Sequence, residues 1–69
     1  MIQEKSLSVV VPVYNEEENV KELHQRIVSA CEKLGKSFEV VFVDDGSSDK
    51  TVAMCKELSP LKLIQFRKN

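Results

Sequence analysis

Val40–Thr51 reads VVFVDDGSSDKT. Its first residues are apolar and mostly β-branched, the composition of a strand covered on both faces. Two carboxylates, Asp44 and Asp45, stand where that strand ends. Gly46 and the serines after it make a turn, and Ser47 or Ser48 can cap a following helix. A strand that runs through a polar loop into a helix is the unit of a parallel α/β sheet, whose ligands bind at the carboxyl ends of strands.

The same pattern occurs earlier in the chain. Ser8–Glu16 reads SVVVPVYNE, and Leu7–Val13 forms a second buried-type strand. Asn15 then stands as an N-cap, with Glu18 at capping-box spacing and Glu16 and Glu17 complementing the helix dipole. Val20, Leu23, Ile27, Ala30, Cys31 and Leu34 recur as a helical stripe. Gly35 closes that helix, with Lys33 and Lys36 near its negative end. His24 falls among Glu22, Gln25 and Arg26, on an expected solvated face.

Beyond the quoted stretch, a second helix is expected over Asp49–Leu58, burying Val52, Cys55 and Leu58. Ser59–Pro60 ends it. Leu61–Phe66 follows as a third strand. Met1–Ser6 and Arg67–Asn69 are polar ends, and no repeat, low-complexity tract or linker interrupts the chain.

The order β-α-β-α-β, with right-handed crossovers, gives an α/β fold: a three-stranded parallel sheet in order 3-2-1 with both helices on one face. Leu7, Val9, Val11 and Val13 then share a face, with Val10 opposite. In the second strand Phe38, Val40 and Phe42 oppose Val41 and Val43. Both faces are apolar, yet this topology covers only one, and the first strand has an open edge. The expectation is that more chain follows or that two copies cover each other.

Composition narrows the class. The 69 residues are 42% hydrophobic and 30% charged, with a formal net charge of −1. Lys and Arg are spread among acids, unlike a nucleic-acid surface. The apolar run Val9–Val13 is far too short to span a bilayer, and Gln3, Glu4 and Lys5 exclude a secretory apolar segment at the start. Cys31 and Cys55 have no paired spacing, and with His24 alone they make no metal set. They are expected as reduced thiols in or near the core.

The candidate site lies at the two strand tips. Asp44 and Asp45 can accept from a base N–H or a ribose hydroxyl, or hold a hydrated cation; Asp-Gly is equally ordinary turn chemistry. Adjacent like charges cost stability unless something compensates them, which favours function. Tyr14 can stack on a planar base or pack on the sheet rim. Asn15–Glu18 has sufficient structural reasons as a cap and first turn. Gly46-Ser47-Ser48 is not a phosphate-binding loop of the GxxxxGK type, though its amides could meet an anion.

Taken together, SVVVPVYNEEENV at Ser8–Val20 and EVVFVDDGSSDKT at Glu39–Thr51 resemble the amino-terminal end of family-2 glycosyltransferases of the GT-A fold. The wording is most similar to the polyprenyl-phosphate group, which includes dolichol-phosphate mannose synthases. Phe66–Asn69 loosely resembles the start of the family's next motif. The resemblance implies an incomplete Rossmann-like GT-A domain over residues 1–69, the nucleotide-binding part of an enzyme that moves a sugar from a UDP- or GDP-linked donor to an acceptor, expected to be polyprenyl phosphate. Pro12, Tyr14 and Glu16 match residues that line the nucleotide pocket. Asp45 matches the acceptor for the base ring N–H, and Asp44 a position near base and ribose.

The family's Mg²⁺ or Mn²⁺ is held through a DxD motif absent from this chain, and its catalytic base and acceptor site also lie further along. The piece is therefore expected to bind part of the donor without catalysing. Its expected location is cytoplasmic, with membrane association through other parts of the parent. Two rivals come from other classes. A receiver-like phosphoacceptor domain would need an Asp after the third strand, where Gln65 and Phe66 stand. A non-catalytic α/β piece that associates with itself would use the uncovered sheet face or edge.

Overall fold

The computed structural model describes residues 6–66; the polar lead-in before Ser6 and the Arg67–Asn69 end lie outside them. The elements run β1 (Leu7–Val13), α1 (Val20–Leu34), β2 (Phe38–Asp44), α2 (Thr51–Cys55) and β3 (Lys62–Gln65). The three strands form one parallel sheet in the order β1-β2-β3. This is the expected 3-2-1 arrangement read from the other edge.

Register and alternation divide the side chains between two faces. Val9 pairs with Val40, Val11 with Phe42 and Val13 with Asp44, while Phe42 also pairs with Leu63. Val13, Val40 and Phe42 pack with Val20 of α1 and Cys55 of α2 into one buried cluster. Both helices therefore cover the same face. Phe42, fully buried at the centre, accounts for roughly 1.5–3 kcal/mol of transfer free energy by itself. On the opposite face lie Val10, Val41, Lys62, Pro12, Val43 and Ile64. There Val10 is 61% exposed and Ile64 37%. Val41 is buried even on this open face, because it is flanked in register by Val10 and Lys62.

α1 ends as its sequence dictates: Gly35 takes the left-handed conformation (φ 66°) and its N–H returns to the Glu32 carbonyl at 3.2 Å. Its start differs from the expected one. Residues 17–19 make a turn in which the amides of Asn19 and Val20 both donate to the Glu16 carbonyl. Asn19, not Asn15, occupies the cap position, and without a side-chain cap bond. α2 is also shorter than the periodicity implies, and its buried members are Thr51 and Cys55. Ser47 and Ser48 do not cap it; Lys50 precedes it.

His24 corrects the expected solvated face. It is buried on α1 with Val20 and Cys31, and its Nε2 lies 2.8 Å from the carbonyl oxygen of Pro60. Both cysteines are free and buried. No helix of the described residues is long and apolar enough to cross a membrane.

Candidate functional site

The three strands end level. Val13 pairs with Asp44, and Asp44 with Gln65. The amide of Asp45 donates to the Val13 carbonyl at 3.4 Å and that of Phe66 to the Asp44 carbonyl at 2.9 Å. Tyr14 and Asp45 thus leave adjacent strands at one level, at the carboxyl edge where an open α/β sheet binds ligands. Both are exposed, Tyr14 by 52%. Pro12 sits one residue short of the tip, exposed on the bare face beside Val43. Glu16 is half-buried in the β1–α1 loop.

The paired acids have different environments. Asp44 is 2% exposed. Its Oδ2 accepts the amide protons of Gly46 (3.1 Å) and Ser47 (3.0 Å), and its Oδ1 accepts the Ser47 hydroxyl. The turn therefore compensates one of the two adjacent charges, as a buried carboxylate requires. Asp45 is turned out to solvent. One acid builds the turn, and the other is displayed by it.

A second set of bonds joins the two loops. Three successive amides of the β1–α1 loop donate to side chains of the β2–α2 loop and of the first residue of α2. Asn15 N–H meets Ser47 Oγ at 2.9 Å, Glu16 N–H meets Thr51 Oγ1 at 2.7 Å, and Glu17 N–H meets Asp49 Oδ2 at 3.3 Å. In return, the amide of Ser48 donates to Asn15 Oδ1 at 2.8 Å. Asn15 adopts a left-handed backbone (φ 49°) to do so, a conformation Asn tolerates better than most residues. Asp49 Oδ1 accepts both the amide and the hydroxyl of Thr51.

These bonds fill the amides that a phosphate would use. The N–H groups of Gly46, Ser47 and Ser48 go to Asp44 and Asn15, and those of Asn15, Glu16 and Glu17 to Ser47, Thr51 and Asp49. The side chains presented at this edge are those of Tyr14 and Asp45, both exposed, with Glu16 half-buried beside them.

Among the described residues, two groups at or below these loops are shifted from their ordinary values. Partial burial pushes Asp49 up, but hydrogen bonds from the Thr51 hydroxyl and from the amides of Thr51, Glu17 and Asp49 itself outweigh it, so its carboxyl lies below the usual value. Burial pushes the Cys55 thiol up, and the negative charge of Asp44 adds to the effect. Among the described residues no group of three or more His, Cys, Asp or Glu is placed to hold an ion. Asp44 and Asp49 are already occupied by hydrogen bonds. The described residues therefore do not fit Mg²⁺ or Mn²⁺, which the resemblance assigns to a motif absent from this chain. A shallow depression along α1, lined by Gln25, Arg26, Ser29, Ala30 and Lys33, lies away from the strand tips. Its Arg26 is paired with Glu22 on the same helix.

Sequence reasoning placed the tips correctly and missed Asp49 and Thr51, which lace the loops. The available signal was the Asp49-Lys50-Thr51 triplet, where a carboxylate stands two residues before a hydroxyl at a helix start, a common local hydrogen-bonding pattern. Against known protein families, the model for glycosyl transferase family 2 matches residues 8–69.

Proposed function

The chain belongs to glycosyl transferase family 2, and from that premise we propose that its strand-tip edge binds the nucleotide of a nucleotide-sugar donor. The observation that carries this reading is the level exit of Tyr14 and Asp45 from neighbouring strands. An aromatic ring and an outward carboxylate side by side suit a nucleobase: the ring stacks on its face, and the carboxylate accepts from its ring N–H. Uracil presents one such N–H and guanine presents a ring N–H with an amino group, so a UDP- or GDP-linked donor suits the edge. Glu16 and Pro12 complete the lining. Asp44 contributes through the turn that displays Asp45.

In the parent enzyme the sugar passes to an acceptor, which we propose is polyprenyl phosphate. The divalent cation, Mg²⁺ or Mn²⁺, is held by residues outside this set. The part played here is donor recognition, and the chain alone does not turn over. With the loop amides occupied, the diphosphate finds its partners elsewhere.

An amide-resolved NMR titration of the chain with UDP and then GDP tests this. Shifts concentrated at Tyr14, Glu16 and Asp45, absent in Asp45→Ala, are expected. A well-folded sample that shows no shift at saturating nucleotide would remove the donor reading for this chain.

A second reading draws on the bare sheet face. Val10, Pro12, Val43 and Ile64 form an open apolar patch, and a second copy of the chain could cover it. Light scattering at rising concentration decides this: a monomer throughout would end it.

A further inference from the structure

The contacts between the two strand-exit loops are directional. The β1–α1 loop supplies three consecutive backbone donors, Asn15, Glu16 and Glu17, and the β2–α2 loop with the first residue of α2 supplies three side-chain acceptors, Ser47, Asp49 and Thr51. Two of these acceptors are hydroxyls whose own protons go to carboxylates, Ser47 to Asp44 and Thr51 to Asp49. A hydroxyl that donates to a carboxylate becomes a stronger acceptor for the amide on its other side. Each chain of bonds therefore runs from a carboxylate through a hydroxyl to an amide of the opposite loop. Thr51 is fully buried, so no water can replace its bond to Glu16.

We propose that Ser47, Asp49 and Thr51 are positioning residues: through the amides of Asn15–Glu17 they set where Tyr14 and Glu16 stand beside Asp45. The consequence for nucleotide recognition rests on the donor reading above; the positioning itself does not. Tyr14 immediately precedes the first tethered amide, and Glu16 carries the second. Releasing the tether displaces both from an edge whose other half, Asp45, is fixed by its own turn.

The test compares Thr51→Val, which keeps the shape and loses the hydroxyl, with Thr51→Ser, which restores it, in the full chain. Three quantities are read: Tyr14 ring resonances and Glu16 amide exchange without ligand, the urea midpoint, and the Kd for UDP and GDP. In Thr51→Val the Glu16 amide loses protection and the Tyr14 ring resonances move. The Kd of the preferred nucleotide rises roughly five- to tenfold, and Thr51→Ser returns all of these toward the parent values. Should Thr51→Val prove too unstable to study, Asp49→Ala is expected to give the same pattern at Glu17 and Tyr14.

A variant that loses stability while Tyr14 and the Kd stay unchanged would reduce the network to a purely structural role and overturn the proposal. So would failure of Thr51→Ser to restore the resonances. If the unmodified chain binds neither nucleotide, the donor reading fails, and the positioning proposal is decided by the ligand-free resonances alone.

Discussion

Nε2 of His24 donates its proton to the carbonyl oxygen of Pro60 across 2.8 Å, tying the middle of α1 to the loop that leads into β3. A carbonyl only accepts, so Nε2 carries the hydrogen. The same ring stands edge-on to Phe42, with centroids 6.1 Å apart and planes at 89°. One buried side chain thus joins the first helix, the central strand and the approach to the third strand.

His24→Ala removes both interactions and leaves a cavity beside Phe42. The expected loss is about 2–4 kcal/mol, a large share of what a chain of this size holds. His24→Phe keeps the ring edge and loses the bond, for about 1–3 kcal/mol. Urea unfolding monitored by circular dichroism checks both. Equal losses for the two variants would show that the bond, and not the packing, is what matters.

The paired acids should separate cleanly on mutation. Asp44→Ala orphans two amides and a hydroxyl under the turn and should cost about 1.5–3 kcal/mol. Asp45→Ala touches an exposed side chain and should stay within about 0.5 kcal/mol, while abolishing the nucleotide-induced shifts. Denaturation midpoints and the NMR titration, run on both variants, read the two effects independently.

Asp49 predicts an acid limb. Its folded-state pKa is depressed, so the native state binds this proton more weakly than the unfolded chain. The stabilisation is present above the unfolded value of 3.8 and is lost as pH falls through the lower folded value. Urea midpoints should therefore decline below about pH 4. The decline should be shallower in Asp49→Asn, which cannot titrate. Parallel curves for the two proteins would assign the acid limb to other carboxylates.

Gly35 separates backbone from steric cost. A Cβ added there would meet nothing within 4 Å, yet φ is +66°. Gly35→Ala should lose about 1–2 kcal/mol from the left-handed conformation alone, and Gly35→Asn less, because Asn tolerates that region. Thermal unfolding of the pair measures this. A neutral Gly35→Ala would mean that the end of α1 relaxes when the residue changes.

Local pattern fixed much of this molecule. β1 begins and ends where its apolar run does, β2 extends one residue beyond expectation to include Asp44, and Gly35 ends α1 as its type suggests. What local pattern could not supply was tertiary use of polar residues. Asn15 has the credentials of a cap, but its side-chain Oδ1 accepts from Ser48 in the other loop, and α1 begins at Val20 instead. His24 stands four residues from Val20 and seven from Cys31, on the buried stripe. Its polar neighbours concealed that, and its partner Pro60 lies 36 positions away. That Tyr14 and Asp45 leave adjacent strands at one level was legible, because strand ends can be read from sequence; the lacing through Asp49 and Thr51 was not, because it depends on loop-to-loop distance.

The filled amides of Asn15, Glu16 and Glu17 also bear on the kinetics of encounter. Loops that order only around a ligand lose conformational entropy at the moment of binding, about 0.5–1.5 kcal/mol for each side chain immobilised. Here folding has already fixed the backbone, so on the donor reading proposed above an arriving nucleotide would meet loops that need not rearrange. Its association is then governed by diffusion and orientation rather than by a slow closing step, and differences in affinity between bases fall on the dissociation rate. On that reading, neither entry of a donor nor departure of the spent nucleoside diphosphate would wait on a loop refolding.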